Sequence, residues 1–233
     1  MPAKTLTSKL NSFTKDNLVT TTIFSQSESE LTGAKTLHNF LRTRRSIRNF
    51  ESGVIPNEII RRVIETASYA PSAHNRQPWR FAVITDSKVK LELAQAMGNR
   101  FRLDLAGDKN PAAEIEARIT LSRERILSAP VVIILCLDPS EMDDYPDEKR
   151  KKAEFMMAVQ SVAAAGQTLL LALHAEGLSA VWTCGPLFAP DVVVNALHLP
   201  ILWEPQAMFF IGRSTVPTKP KSVLSLEKIS IWF

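Results

Sequence analysis

Pro130-Val131-Val132-Ile133-Ile134-Leu135-Cys136-Leu137 decides how the rest of this sequence is read. The run shows no alternation of apolar and polar positions, so it does not suit a sheet face open to water. It predicts a strand buried on both faces. Covering such a strand takes apolar helices, and the sequence on either side offers them. Glu114–Leu127 has a helical pattern, and Ala153–His174 carries Ala, Gly, Val and Leu on more than one face, as a central helix would. Its most apolar part, Ala163–Ala175, includes Gln167 and His174 and falls short of the about 20 apolar residues needed to span a bilayer. It is read as a core helix, with no membrane partner.

Farther out the pattern stays that of a globular domain. Pro56–Ala70 reads as a helix with Ile59, Ile60, Val63, Ile64 and Ala67 on one stripe. Trp79–Thr85 alternates as a strand and Lys88–Met97 looks helical. Leu178–Thr183 and Ala207–Gly212 give two more strands, with a short helix opened by Pro190 and Asp191 and ending near His198 between them. Asp143–Lys152, acidic then basic, reads as a solvated loop. Residues 1–33 are polar and aperiodic, which predicts a mobile arm, and order is expected to begin near Thr36, where Leu37, Phe40 and Leu41 share a helix face. The arm has no apolar h-region and so is not a secretory signal; its scarcity of acids before Asp16 weakly resembles a transit peptide. Residues 34–233 are expected to form one domain. Helices and strands mix without a strict βαβ rhythm, which predicts an α+β fold with a sheet packed against helices.

Composition narrows the class. A chain of 233 residues can bury a sizeable core, and 45% hydrophobic with 22% charged residues excludes a fibrous or wholly disordered protein. Cys136 and Cys184 lie far apart with no CxxC or Cys/His spacing, so no metal site is signalled and a reduced, cytoplasmic setting is expected. Cys184 itself reads as a buried small hydrophobe. The net charge of +4 admits an anionic partner without choosing one.

Two short stretches carry chemistry. In Arg44-Arg45-Ser46-Ile47-Arg48, three guanidinium groups and a hydroxyl fall within five residues. Guanidinium forks fit phosphate oxygens and bind them through charge-assisted hydrogen bonds. In Ala70-Pro71-Ser72-Ala73-His74-Asn75-Arg76-Gln77-Pro78-Trp79, two prolines fix the direction of backbone and short polar side chains. Such a loop suits the donor and acceptor edge of a planar heterocycle, or is simply a turn ahead of a strand. No Ser/His/Asp set, HExxH, P-loop or GxGxxG is present.

With R-R-S-I-R-N-F and A-P-S-A-H-N-R-Q-P-W in this order and a basic stretch near the C-terminus, the chain resembles the nitroreductase family of flavoproteins from about Thr36 to Phe233. Gly177–Trp182, Leu187–Asp191, Leu199-Pro200 and Trp203–Pro205 also resemble the flavin-reductase domain attached to deazaflavin-coenzyme glutamyl ligases, although no ligase domain is present. The resemblance implies a central mixed sheet packed between helices, with FMN at a homodimer interface and contacts from both chains. It implies that Arg44, Arg45 and Ser46 meet the phosphate and ribityl chain, and that Arg48 lies near the N1/O2 edge of the ring. It further implies that Pro71, Ser72 and Asn75 come from the partner subunit. Lys219 and Lys221 match the family's closing phosphate-binding pair in spacing, with lysine in place of the usual arginine. Arg125 falls where the family often puts a ribityl-contacting cation, or else caps its own helix end. Cys184 and Gly185 fall where the family lays backbone against the flavin. His74 and Trp182 are candidates for the substrate side, with packed or surface roles as the simpler reading.

The implied activity is that of an oxidoreductase using NADH or NADPH through FMN, with a nitroaromatic, quinone or unsaturated intermediate as small-molecule acceptor. The C-terminal likeness adds an alternative, reduction of a dehydro-precursor in deazaflavin-coenzyme biosynthesis. A nucleic-acid-binding protein built on RTRRSIR is the contrasting class. It requires aromatics interleaved with the basic cluster, and only Phe40 and Phe50 flank it, so no nucleic-acid partner is expected.

Overall fold

A computed structural model describes residues 28–233 of the chain. Helix α1 (Glu28–Thr43) belongs to one compact unit, and Arg44–Phe233 form another. Most of the expected N-terminal arm lies outside the described residues, but α1 starts inside the stretch read as arm. Leu31 and Ala34 extend the spacing of Leu37 and Leu41 toward the N-terminus, and Gly33 between them hides the pattern.

In the larger unit, strands β1 (Trp79–Ile84), β2 (Val131–Leu137), β3 (Ser179–Thr183) and β4 (Glu204–Gly212) form a sheet in the order β1-β2-β4-β3. All three pairings are antiparallel. The mixed character expected of the sheet is confined to one parallel bridge, Ser46 to Ala180.

Every residue of β2 is buried, as its unbroken apolar run requires. Val131, Ile133, Leu135 and Leu137, with Ala207, Phe209 and Ile211 of β4, pack against α2 (Asn57–Ala67) and α5 (Glu148–Ala175). Val132, Ile134 and Cys136, with Met208 and Phe210, face α3 (Ser87–Gly107), α4 (Ala112–Ser128) and α6 (Pro190–Leu197). Each large side chain so buried contributes about 1.5–3 kcal/mol. A one-residue slip of β2 would exchange the two clusters, so the helix layers fix its register.

Several elements run longer than their patterns predict. α3 continues to Gly107 because Gly98 is a contact point: a Cβ there would stand 3.1 Å from Ile119 Cγ2 on α4. The acidic and basic stretch before the central helix is largely its first turns, since Asp147 caps α5 by accepting from the Arg150 amide at 2.9 Å. β4 begins at Glu204, and Pro205 is accommodated where the register shifts between Leu135 and Cys136. A short helix, α7 (Leu226–Ile229), lies beyond the predicted elements. Among the described residues α5 alone is long and apolar enough to cross a membrane; half of its apolar window is buried inside the protein, against the sheet and α2.

Candidate functional site

The segment after Thr43 is held along the β3 edge of the sheet. The Ile47 amide donates to the Ala180 carbonyl at 3.1 Å, and the Glu51 amide donates to the Arg213 carbonyl at 2.8 Å. Residues 46–51 therefore start beside β3 and cross to the end of β4. Gly212 allows this, because Phe50 lies where a Cβ would come within 2.7 Å of it. The Arg45 Nε donates to the Lys219 carbonyl at 3.0 Å and so ties the segment to the chain that leaves β4. Between the two stretches opens a cleft of about 300 Å³ lined by Arg45, Ser46, Ile47, Arg48, Asn49 and Val216, Pro217, Thr218 and Lys219.

Arg44 precedes these residues in sequence without lining the cleft, and its carbonyl accepts from Arg45 Nη1 at 2.9 Å. Its Nη1 is the one buried side-chain nitrogen or oxygen without a hydrogen bond among the described residues. A buried donor left unmade costs about 1–3 kcal/mol, more when charged. An anion with several acceptor oxygens would satisfy it, and a phosphate dianion fits a set of arginines with a serine hydroxyl.

Arg125 lies half-buried in the last turn of α4, which leads into β2. Val131 at the start of β2 pairs with Ile211, next to Gly212, so Arg125 stands at the same end of the sheet as Ser46 and Arg213. Lys221 is exposed and lies beyond the cleft wall.

The Pro71–Pro78 loop is placed elsewhere. It enters β1, the opposite edge strand, three inter-strand spacings from β3, or roughly 14 Å. It also sits at the other strand end, since Trp79 pairs with Leu137. The loop makes a 3₁₀ turn over Ala73–Asn75, and His74, Asn75 and Gln77 have φ of 54°, 56° and 50°. Ser72 Oγ accepts from the Gln77 amide at 3.0 Å, and the Ala73 amide donates to Ser161 Oγ on α5 at 3.2 Å. Arg76 donates to the buried carboxylate of Glu154 and, through Nη2, to Asp143 at 2.6 Å. These bonds hold the Asp143 carboxyl below the usual carboxylate range, with Arg76 the leading cause.

Cys184 and Gly185 follow β3 at this second strand end. Cys184 is exposed, which corrects the expectation of a buried hydrophobe: it stands past the last paired residue of β3, with its Sγ 3.3 Å from the Trp182 Nε1 that donates to it. Cys136 is the buried cysteine, and burial pushes its thiol up to about 12. A Cβ on Gly185 would meet Met97 at 3.3 Å, so this glycine brings its backbone against α3. Trp182 has the packed role: its ring meets Phe209 edge-on at 5.0 Å and fills the space left by Gly166. His74 is exposed on the loop.

One chain thus gathers Arg45, Ser46, Arg48 and Lys219 around one cleft, with Arg44 next to them in sequence, and keeps Pro71, Ser72 and Asn75 at another place. Sequence reasoning missed Asn49 and Val216–Thr218 in the cleft wall, and Arg76, Glu154 and Ser161 behind the loop. Arg76 stands inside a quoted motif. Its partners lie far away in sequence and carry no local signal.

The site and its setting define an α+β domain whose sheet is enclosed between helix layers, with an arginine-lined cleft at one edge and a pinned polar loop at the other. The chain belongs to the nitroreductase family of oxidoreductases, whose model matches residues 41–213. It is 28% identical over 213 residues to an NADH dehydrogenase of Thermus thermophilus, covering 81% of this chain and 92% of that protein. Among solved structures it is similar to a BluB-like flavoprotein from Clostridium difficile (TM-score 0.70, 23% identity, 84% and 98% of the two chains). A nitroreductase from Desulfovibrio desulfuricans, solved in complex with FMN, shares the fold at a TM-score of 0.64 with 24% identity over 84% and 96% of the chains.

Proposed function

We propose that this chain is an FMN-dependent oxidoreductase that takes reducing equivalents from NADH or NADPH, delivers them to an organic acceptor, and works as a homodimer. The observation that carries the reading is a cleft lined by Arg45, Ser46, Arg48 and Lys219, preceded in sequence by Arg44 with its unpartnered, buried Nη1. The FMN bound in the Desulfovibrio relative and the name of the Thermus relative support the cofactor and the donor.

Bound FMN would supply the redox chemistry, accepting a hydride from the nicotinamide and passing it on. The chain's residues bind and tune. Arg44, Arg45, Ser46 and Lys219, with Lys221, would hold the phosphate end, and Arg125 would serve the ribityl chain from the same end of the sheet. Arg48, lining the cleft, would place a cation near the N1/O2 edge, where negative charge develops. The backbone at Cys184 and Gly185 would lie along the ring.

Pro71, Ser72 and Asn75 stand at the opposite sheet edge and strand end from Arg44 in their own chain, so both motifs reach one ligand most simply from two copies. The C-terminal stretch supports a second copy. Val223, Leu224, Leu226, Ile229, Ile231, Trp232 and Phe233 are each more than 60% exposed, an amount of open apolar surface that a partner subunit would cover.

The visible spectrum of the purified protein tests the reading. A yellow protein that releases FMN, not FAD, on denaturation is expected. A colourless protein that takes up no added FMN overturns it.

A further inference from the structure

Arg76 lies in the loop assigned to FMN, yet its side chain is turned away from any ligand and into its own chain. One guanidinium nitrogen donates to Glu154, whose side chain is only 4% exposed, and the other to Asp143 at 2.6 Å. Glu154 is itself fixed, because the same Oε1 accepts from the Asp143 amide at 3.2 Å. Ser161, two turns further along α5, accepts from the Ala73 amide and donates to the Met157 carbonyl at 2.8 Å. The loop is therefore fastened to one face of α5 at two points, one on each side of His74 and Asn75.

The segment between those points needs fastening. His74 and Asn75 between those points, and Gln77 just beyond them, have φ near +50°. Residues with a side chain occupy this region only when the surroundings hold them there. Released from α5, the loop would relax toward ordinary backbone, and Ser72 and Asn75 would turn away from their present directions.

We propose that Arg76, Glu154 and Asp143 form a clamp that keeps the Pro71–Asn75 loop in its flavin-binding shape, which makes Arg76 a positioning residue that acts without touching the cofactor. The proposal rests on the FMN reading above and adds to it how the loop is preorganised. Ser72 shows the consequence: its oxygen already accepts from the Gln77 amide, so the hydroxyl proton is left to donate to a ligand.

The test is an FMN titration of wild type, Arg76→Ala and the double variant Arg76→Ala/His74→Gly, followed by flavin fluorescence and visible circular dichroism. Arg76→Ala is expected to weaken FMN binding by tenfold or more and to alter the visible dichroism of what remains bound. His74→Gly in that background is expected to recover part of the affinity, because glycine takes positive φ without a clamp at one of the three positions. An arginine that contacted FMN directly would not be rescued by a glycine two residues away, so absence of recovery overturns the proposal. Wild-type affinity in Arg76→Ala overturns it too. If Arg76→Ala does not fold, Arg76→Lys takes its place, with intermediate affinity expected and wild-type affinity contradicting the clamp. Failure of the wild type to bind FMN would instead remove the cofactor reading itself.

Discussion

Arg44 and Arg76 are both half-buried arginines in short polar stretches at the edges of the same sheet. Arg76 donates to two carboxylates of its own chain, whereas Arg44 leaves a buried Nη1 with no acceptor. The first arrangement is complete without a ligand and serves to hold backbone. The second is incomplete, and on the proposed reading an anion would complete it. Two residues of one type, in motifs of similar look, are told apart by what the fold places opposite them.

Replacing Arg44 separates the two roles most sharply. Arg44→Ala is expected to weaken FMN binding by about 1.5–3 kcal/mol, roughly tenfold or more in dissociation constant. The melting temperature of the flavin-free protein should hold or rise, since an unsatisfied buried donor is gone. A clear fall in that temperature with unchanged FMN affinity would show that Arg44 is structural like Arg76. Arg48→Ala is expected to weaken FMN by a similar or smaller factor and also to lower the potential of the bound flavin, because a cation near developing negative charge is removed. Potentiometry giving the wild-type value with flavin bound would move Arg48 away from the ring.

Two glycines probe the frame beneath the cleft. Gly212→Ala should destabilise by about 1–3 kcal/mol through overpacking against Phe50, and it should weaken FMN as well, because Phe50 closes the Arg44–Phe50 segment. Gly98→Ala crowds Ile119 at 3.1 Å but also gains about 1 kcal/mol of helix propensity, so it should change stability little and leave FMN affinity alone. Equal effects of both on FMN would mean that the cleft responds to global stability only.

The smallest effect concerns the clamp. Arg76 holds Asp143 below the usual carboxylate value. The pairing therefore contributes fully above the unfolded value of about 3.9 and is lost as pH falls through the lower folded value. Limited proteolysis of the Pro71–Pro78 loop should quicken only below about pH 4, and Asp143→Asn should abolish that acid step. Cleavage that rises already near neutrality would point to another group.

The layered fold was legible because Val131–Leu137 lacks any polar position, so both of its faces must be covered, and helical patterns lie on either side of it. Its neighbours were less legible where glycine or charge interrupts a pattern: Gly98 is a contact with another helix, and the Asp147 cap that starts Glu148–Lys152 as helix is masked by the charges around it. In the site, arginine density pointed to Arg44–Arg48 as a place for an anion, and Arg45 and Arg48 do line a cleft. The state of each arginine was hidden, because Lys219, Glu154 and Asp143 come to the motifs from distant sequence. The left-handed backbone of His74, Asn75 and Gln77 was equally hidden, as tertiary bonds impose it on residues with no glycine among them.

The central claim, that Arg44 of one copy and Asn75 of another hold the same FMN, is tested most directly by complementation. Arg44→Ala and Asn75→Ala chains, each first shown to lose FMN alone, are unfolded together, refolded as a mixture and assayed for bound flavin. In a two-fold dimer formed at random, mixed pairs rebuild one intact site, so about a quarter of all sites should regain FMN. No recovery in mixtures shown to contain heterodimers would contradict a shared site and place both motifs on a ligand held by one chain.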